Sequence, residues 1–365
     1  MITLKESILS DYKIKESILS DNGIKESILS DMEDTMSVGE ADAARIIIDE
    51  FISNNYYPVK YTVLKKPNKD GKYIVNARGN VLLHRTAKSI TNDIFVWGKC
   101  NIFNCDDNEY ITNLIGAPQK VVIFSCKNCL KLESLEGCPK ELDKISMAGS
   151  GIKNLIGLPS TYDGDINCAA CHKLESLEGC PPIVSSVNVS SCYNLRTLKG
   201  GPKKVYEGFD CSYCISLKSL EGAPNIVDRS FRCVNCHGLT SFNGAPKKIG
   251  VTFNGTGCVS VRTLDIPYMT IGRNFVISSC KNLTSLEGAP KKIDDCAECD
   301  RCYSVRSLKG LPDNMESLYM KENSINTLEG CPKVINIIDL HNVGETPLFT
   351  VDEIRAISGA KHVII

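Results

Sequence analysis

Six pairs among the chain's nineteen cysteines are spaced CxxC: Cys126/Cys129, Cys168/Cys171, Cys211/Cys214, Cys233/Cys236, Cys296/Cys299 and Cys299/Cys302. Two thiolates at that spacing suit a tetrahedral metal ion, and the run from Cys211 to Cys236 reads CxxC-x18-CxxC, within zinc-ribbon spacing. His172 and His237 directly follow Cys171 and Cys236, which hints at a nucleophile beside a base. Both chemistries depend on whether the elements carrying these residues bring them to one place.

Those elements are copies of one another. The stretch Leu217–Val227, LKSLEGAPNIV, recurs along the chain, and eleven of the fifteen prolines end such a copy, from Pro118 to Pro332. The steps are 20 to 23 residues, a period that marks a solenoid of stacked coils. Aligned on proline, the apolar residues fall into columns. Leucine pairs spaced by three precede each turn, as in Leu195/Leu198, Leu217/Leu220 and Leu283/Leu286. A second column runs Phe124, Ile145, Ile166, Val187, Phe209, Phe231, Phe253, Phe275 and Leu318, and a third follows the turn at Val205, Val227, Ile249, Ile271 and Ile293. A single coil cannot bury these residues alone, so stacking must do it.

The same alignment reassigns the cysteines. One column, Cys129, Cys171, Cys192, Cys214, Cys236, Cys258, Cys280 and Cys302, also admits Ser150 and Asn323, which suits an inward polar group meeting backbone carbonyls at a bend. Its neighbour, with Cys126, Cys168, Cys211, Cys233 and Cys299, also admits Met147, Val189 and Ile277, so it is an apolar slot in which cysteine acts as a small hydrophobe. A ladder spreads thiols along the stack, whereas zinc needs four ligands at one point. The expectation is therefore packing, no cofactor, and a residual metal candidate at Cys296, Cys299 and Cys302. His172 and His237 share a column with Tyr193, Ile215, Val259 and Tyr303, and no hydrolase, nucleotide or zinc-protease motif occurs, so no catalytic residue is assigned.

CxxLxSLEGAPxxV followed by FxC, over roughly residues 106–340, resembles the leucine-rich repeat of the BspA-like (Treponema-type) class. It is closer to the repeat proteins of large bacteriophages and gut bacteria. The resemblance implies a mainly β repeat solenoid, a leucine-rich repeat stack of about 10–11 coils with short α/β caps, used for binding proteins. Flanking it, residues 37–105 read as an N-terminal cap, with a capping box at Ser37-Val-Gly-Glu40 opening a helix, three short strands and a degenerate coil at Ile90–Cys105. Residues 341–365 read as a C-terminal cap, with a capping box at Thr350-Val-Asp-Glu353, a helix ended by Gly359 and a final strand in HVII.

Residues 1–36 carry LKESILSD once and IKESILSD twice at a spacing of ten. Ten residues leave a helix about 80° short of three turns, so short helices or a flexible string fit better than one long helix. The copies suit a multivalent docking peptide or a duplicated plain leader, and in size and position they resemble the capsid-targeting leaders of T-even-like phages.

A net charge of −1 gives no bulk attraction to nucleic acid or an anionic membrane, and no apolar run is long enough to span one. The first thirty residues lack the apolar core of a secretory signal, so reduced thiols in a cytoplasmic or virion-associated setting are expected. The function expected is a non-enzymatic scaffold for a protein partner. The alternatives are a phage structural or packaged component delivered by its leader, and a metal- or redox-sensing protein. The contact face expected comprises Ser134, Ser176, Arg196, Thr197, Lys218, Ser219, Arg262, Thr263 and Ser285, read as solvent-facing strand positions. A basic row follows the prolines at Lys140, Lys203-Lys204, Lys247-Lys248, Lys291-Lys292 and Lys333, and glutamates before glycine form an acidic row interrupted by Lys199 and Lys309.

Overall fold

Each repeat makes one turn of a parallel β-solenoid, because its two apolar strand columns and its leucine pair all point into a common axis. The structure, a computed structural model, describes residues 26–342 and 347–365. Fourteen short strands form one long sheet, from Val81–Leu82 to His362–Ile364, giving about thirteen turns. Six more, from Ile183–Val184 to Lys292–Ile293, form a second sheet along another side of the stack.

Register follows the sequence columns. Phe209, Phe231, Phe253, Phe275 and Ala297 are directly paired on successive strands of the long sheet. Their four rings stack at centroid separations of 5.3, 5.9 and 5.6 Å. On the second sheet Val205, Val227, Ile249, Ile271 and Ile293 pair in the same way, all buried. The leucine pairs close the third side, with Leu195, Leu198, Leu217, Leu220, Leu283 and Leu286 fully enclosed. Burying each such side chain is worth about 1.5–3 kcal/mol, and the gain exists only when a neighbouring coil is present.

Two local devices turn the chain. Where a long-sheet strand ends in Asn or Asp, its side-chain oxygen accepts the backbone N–H two residues on, as Asn167, Asn188, Asp210 and Asn254 do at 2.8–3.2 Å. The following bend places one residue per coil in the left-handed region, among them Asn128, Ala170, Ser191, Tyr213 and Ser279. Its N–H donates to the next coil, for instance Ala170 to Ser190 and Ser191 to Ser212, each at 2.8 Å. The second device is the glycine of the LEG turn. At Gly222, φ is 93° and an added Cβ would lie 2.5 Å from the Leu198 carbonyl carbon and the Lys199 nitrogen of the coil before.

The stack reaches further than the proline ladder implies. Val81–Leu82 and Ile102–Asn104 pair in register with the coils that follow, and His362–Ile364 pairs with Lys333–Asp339. The 10–11 expected coils are therefore exceeded because strands without the LEGAP turn extend the sheet beyond the proline ladder at both ends. Helix α1 (Glu26–Asn55) also starts earlier than expected: Ser37-Val-Gly-Glu40 lies inside it and does not cap it. The third leader copy is helical from Glu26 onward, while the first two copies lie outside the described residues. Ala44, Ile48 and Ile52 bury one face of α1 over the strands Tyr61–Val63, Tyr73–Ala77 and Phe95–Trp97. Phe51 meets Phe95 edge-on at 5.6 Å, and the Trp97 indole N–H donates to the Tyr56 hydroxyl at 3.0 Å.

The far end closes as the sequence expects. Helix α2 (Val351–Ser358) has the reciprocal box: the Glu353 N–H donates to Thr350 Oγ1 at 3.2 Å and the Thr350 N–H to Glu353 Oε2 at 2.8 Å. The Thr350 N–H, together with the Thr350 hydroxyl at 2.9 Å, donates to the Glu353 carboxylate and holds it below its usual range, and Gly359 ends the helix at φ 76°.

Candidate interaction face

The thiols go inward. Along the column from Cys129 to Cys302 each Sγ donates to a backbone carbonyl of the preceding coil: Cys129 to Cys105, Cys192 to Cys168, Cys214 to Val189, Cys236 to Cys211 and Cys258 to Cys233, at 2.9–3.2 Å. Asn108 opens the column by donating to the His84 and Ala87 carbonyls, and at Ser150 the hydroxyl meets Cys171 Sγ at 3.5 Å. Burial pushes the Cys192, Cys214 and Cys280 thiols up, away from thiolate. Contact with Cys168 shifts the Cys171 thiol the other way, yet Cys171 is buried and spends its hydrogen on the Met147 carbonyl at 3.1 Å.

The three metal candidates part company. Cys299 sits in the apolar column, and Cys302 donates to the Ile277 carbonyl at 3.3 Å. Cys296 is on the strand Cys296–Glu298 and contacts Asn274 Oδ1 at 3.3 Å. Burial pushes Cys296 up to about 12 and Cys302 up to about 11. Among the described residues no group of three or more His, Cys, Asp and Glu side chains converges as metal ligands. His172 is exposed, stacked on Tyr193 at 4.7 Å, with Nδ1 3.1 Å from the Ser191 carbonyl, so it does not address the Cys171 thiol.

The expected contact residues lie together on the leucine side, but not on strands. Ser134, Ser176, Arg196, Thr197, Lys218, Ser219, Arg262 and Ser285 fall in extended segments outside both sheets, and Thr263 makes only an isolated bridge with Ser241. Their hydroxyls act within the coil. Ser134, Thr197, Ser219 and Ser285 each accept the N–H two residues on, at 3.0–3.4 Å, bracing the turn before glycine. Thr263 Oγ1 donates to Asp265 at 2.6 Å. The LxSLE pattern thus reads as strand alternation while serving a turn.

Cations and rings complete the face. Arg196, Lys218 and Arg262 are exposed, and no ion pair forms to them among the described residues. By contrast the lysines that interrupt the acidic row are engaged: Lys199 meets Glu221 at 3.8 Å and Lys309 meets Glu287 at 3.2 Å. Toward the N-terminal end Glu133 is gripped by Lys153 at 2.7 Å and Lys173 at 3.0 Å, which holds its carboxyl down at about 2. Beside this face, flanking the thiol column at the bend, runs a short ridge of Tyr193, Tyr213 and Ile215 on adjacent coils, with Leu130 three coils before it and Tyr303 four coils after, each 44–67 % exposed. The repeat pattern sets several of these in one column with His172 and His237, but the outward direction of that column emerges only from the bend.

No protein-family model matches the chain, and no curated protein matches it. No helix among the described residues is long and apolar enough to cross a membrane.

Proposed function

We propose that the protein is a non-enzymatic scaffold that presents a rigid repeat face to a protein partner. The observation that supports this reading is the exposed group Tyr193, Tyr213 and Ile215, which shares its two coils with the free cations Arg196 and Lys218. Contiguous exposed apolar groups rimmed by polar ones mark interaction surfaces, and tyrosine with arginine is enriched at protein interfaces. The stack holds these groups in place before any partner arrives, so association need not order a loop. The resemblance to leucine-rich repeat proteins agrees with this use.

The test compares three forms in a pull-down from cell lysate read by mass spectrometry: the full chain, Tyr193→Ser/Ile215→Ser, and the chain without residues 1–36. The expected result is a protein retained by the full and shortened chains and lost by the ridge variant. Retention that needs residues 1–36 and ignores the ridge would make the repeats a passenger of the leader.

A further inference from the structure

The basic row after the prolines carries a second, geometric regularity. Lys204, Lys248 and Lys292 occupy one position on alternate strands of the six-stranded sheet, in the register Lys204, Ile226, Lys248, Thr270, Lys292. Each is preceded by a further exposed lysine, Lys203, Lys247 and Lys291. Neighbouring strands are about 4.8 Å apart, so the lysines recur every two strands, about 9.6 Å along the stack axis. Lys204 is paired with Asp228 at 3.0 Å and lies over the Tyr206 ring at 4.5 Å, and Lys292 is paired with Asp294 at 2.7 Å. At the middle rung glycines replace both aspartates, Gly250 at the position of Asp294 and Gly272 at that of Asp228, and among the described residues Lys203, Lys247, Lys248 and Lys291 form no ion pair. Tyr206 and Tyr268 are exposed along the same side.

This period discriminates among the shapes a polypeptide ligand can take. A β-strand presents side chains on one face about every 6.7 Å, out of phase with the lysines at the first step. An α-helix returns after seven residues at about 10.5 Å and drifts by roughly 2 Å over two steps. A polyproline II helix returns every three residues at about 9.3 Å, and its error over two steps is only about 0.6 Å. Such a helix is also the form in which proline-rich segments lie on exposed aromatic rings. We infer that the six-stranded sheet is a docking track for an acidic polyproline II segment of a partner protein, with Asp or Glu at every third position facing Lys204, Lys248 and Lys292. The track is separate from the tyrosine ridge and does not depend on it.

Two fluorescein-labelled nonapeptides of equal charge and composition test the spacing: three Glu-Pro-Pro units, and Glu-Glu-Glu followed by six prolines. Binding to the full chain is read by fluorescence anisotropy at low and moderate salt. The periodic peptide is expected to bind about tenfold more tightly, the scale that three exposed charge pairs reach together, and to weaken as salt rises. Lys248→Gln, which breaks no ion pair, should remove part of that preference, and Lys204→Gln/Lys248→Gln/Lys292→Gln should abolish it, with unchanged circular dichroism. Tyr193→Ser/Ile215→Ser should leave it intact, which separates failure of the ridge from failure of the track. Equal binding of the two peptides, no binding of either, or tighter binding of a single-stranded oligonucleotide of matched charge would each overturn the inference.

Discussion

At Cys258 one side chain fills a gap between coils and also donates to the Cys233 carbonyl at 3.0 Å. Alanine would keep neither role, so Cys258→Ala should cost about 1–3 kcal/mol, read as a lower denaturant midpoint with an unchanged slope. That inward placement was legible in the column that mixes Cys with Ser150 and Asn323, although Ser150 meets Cys171 Sγ and Asn323 accepts the Ile325 N–H, so of the three only Cys reaches carbonyls of the preceding coil. Glu133 shows what a column cannot reveal, because its two lysines come from the next two coils. Its carboxyl titrates at about 2 in place of the ordinary 4.5, so the stability it lends is full above the ordinary value and fades as pH falls toward 2. The melting-temperature gap between wild type and Glu133→Gln should therefore be full near neutrality, shrink below the ordinary 4.5 and close only as pH falls through about 2.

At the scale of the coil, the turns decide what is tolerated. Gly222→Ala meets both a left-handed φ and the backbone of the coil before, and should destabilise by about 2–4 kcal/mol. Ala170→Gly runs the other way: its φ of 57° is unfavourable for alanine, and glycine should raise the thermal midpoint by up to about 1 kcal/mol of stability. Opposite signs from the paired glycine and alanine exchanges would be read in one set of melting curves. The LEG turn was legible from its glycine and proline, whereas the left-handed bend was hidden, because Asn128, Ala170, Ser191 and Tyr213 share no side-chain chemistry there. Likewise Ser134 and Ser219 alternate with leucine as strand residues would, and only their hydrogen bonds to Glu136 and Glu221 show that they brace a turn.

Across the whole molecule, every coil is held by the coils beside it. The apolar columns made that architecture legible, because a 22-residue step from Phe231 to Phe253 leaves each ring nothing to stack on but its own copy. The ends were less legible, since Val81–Leu82 and His362–Ile364 join the sheet by backbone pairing and carry no LEGAP motif to announce it. The direction of the tyrosine ridge was hidden for the same reason as the bend that creates it.

The parallel register also has a mechanical side. Strands of the long sheet connect to their neighbours through one full coil of chain, so a pull on the two termini loads the stack along its axis and strips it from an end. Each 22-residue coil set free, as between Phe231 and Phe253, adds about 75 Å of contour. Under an optical trap the protein would lengthen as a staircase of nearly equal treads, a ruler graduated by its own repeat.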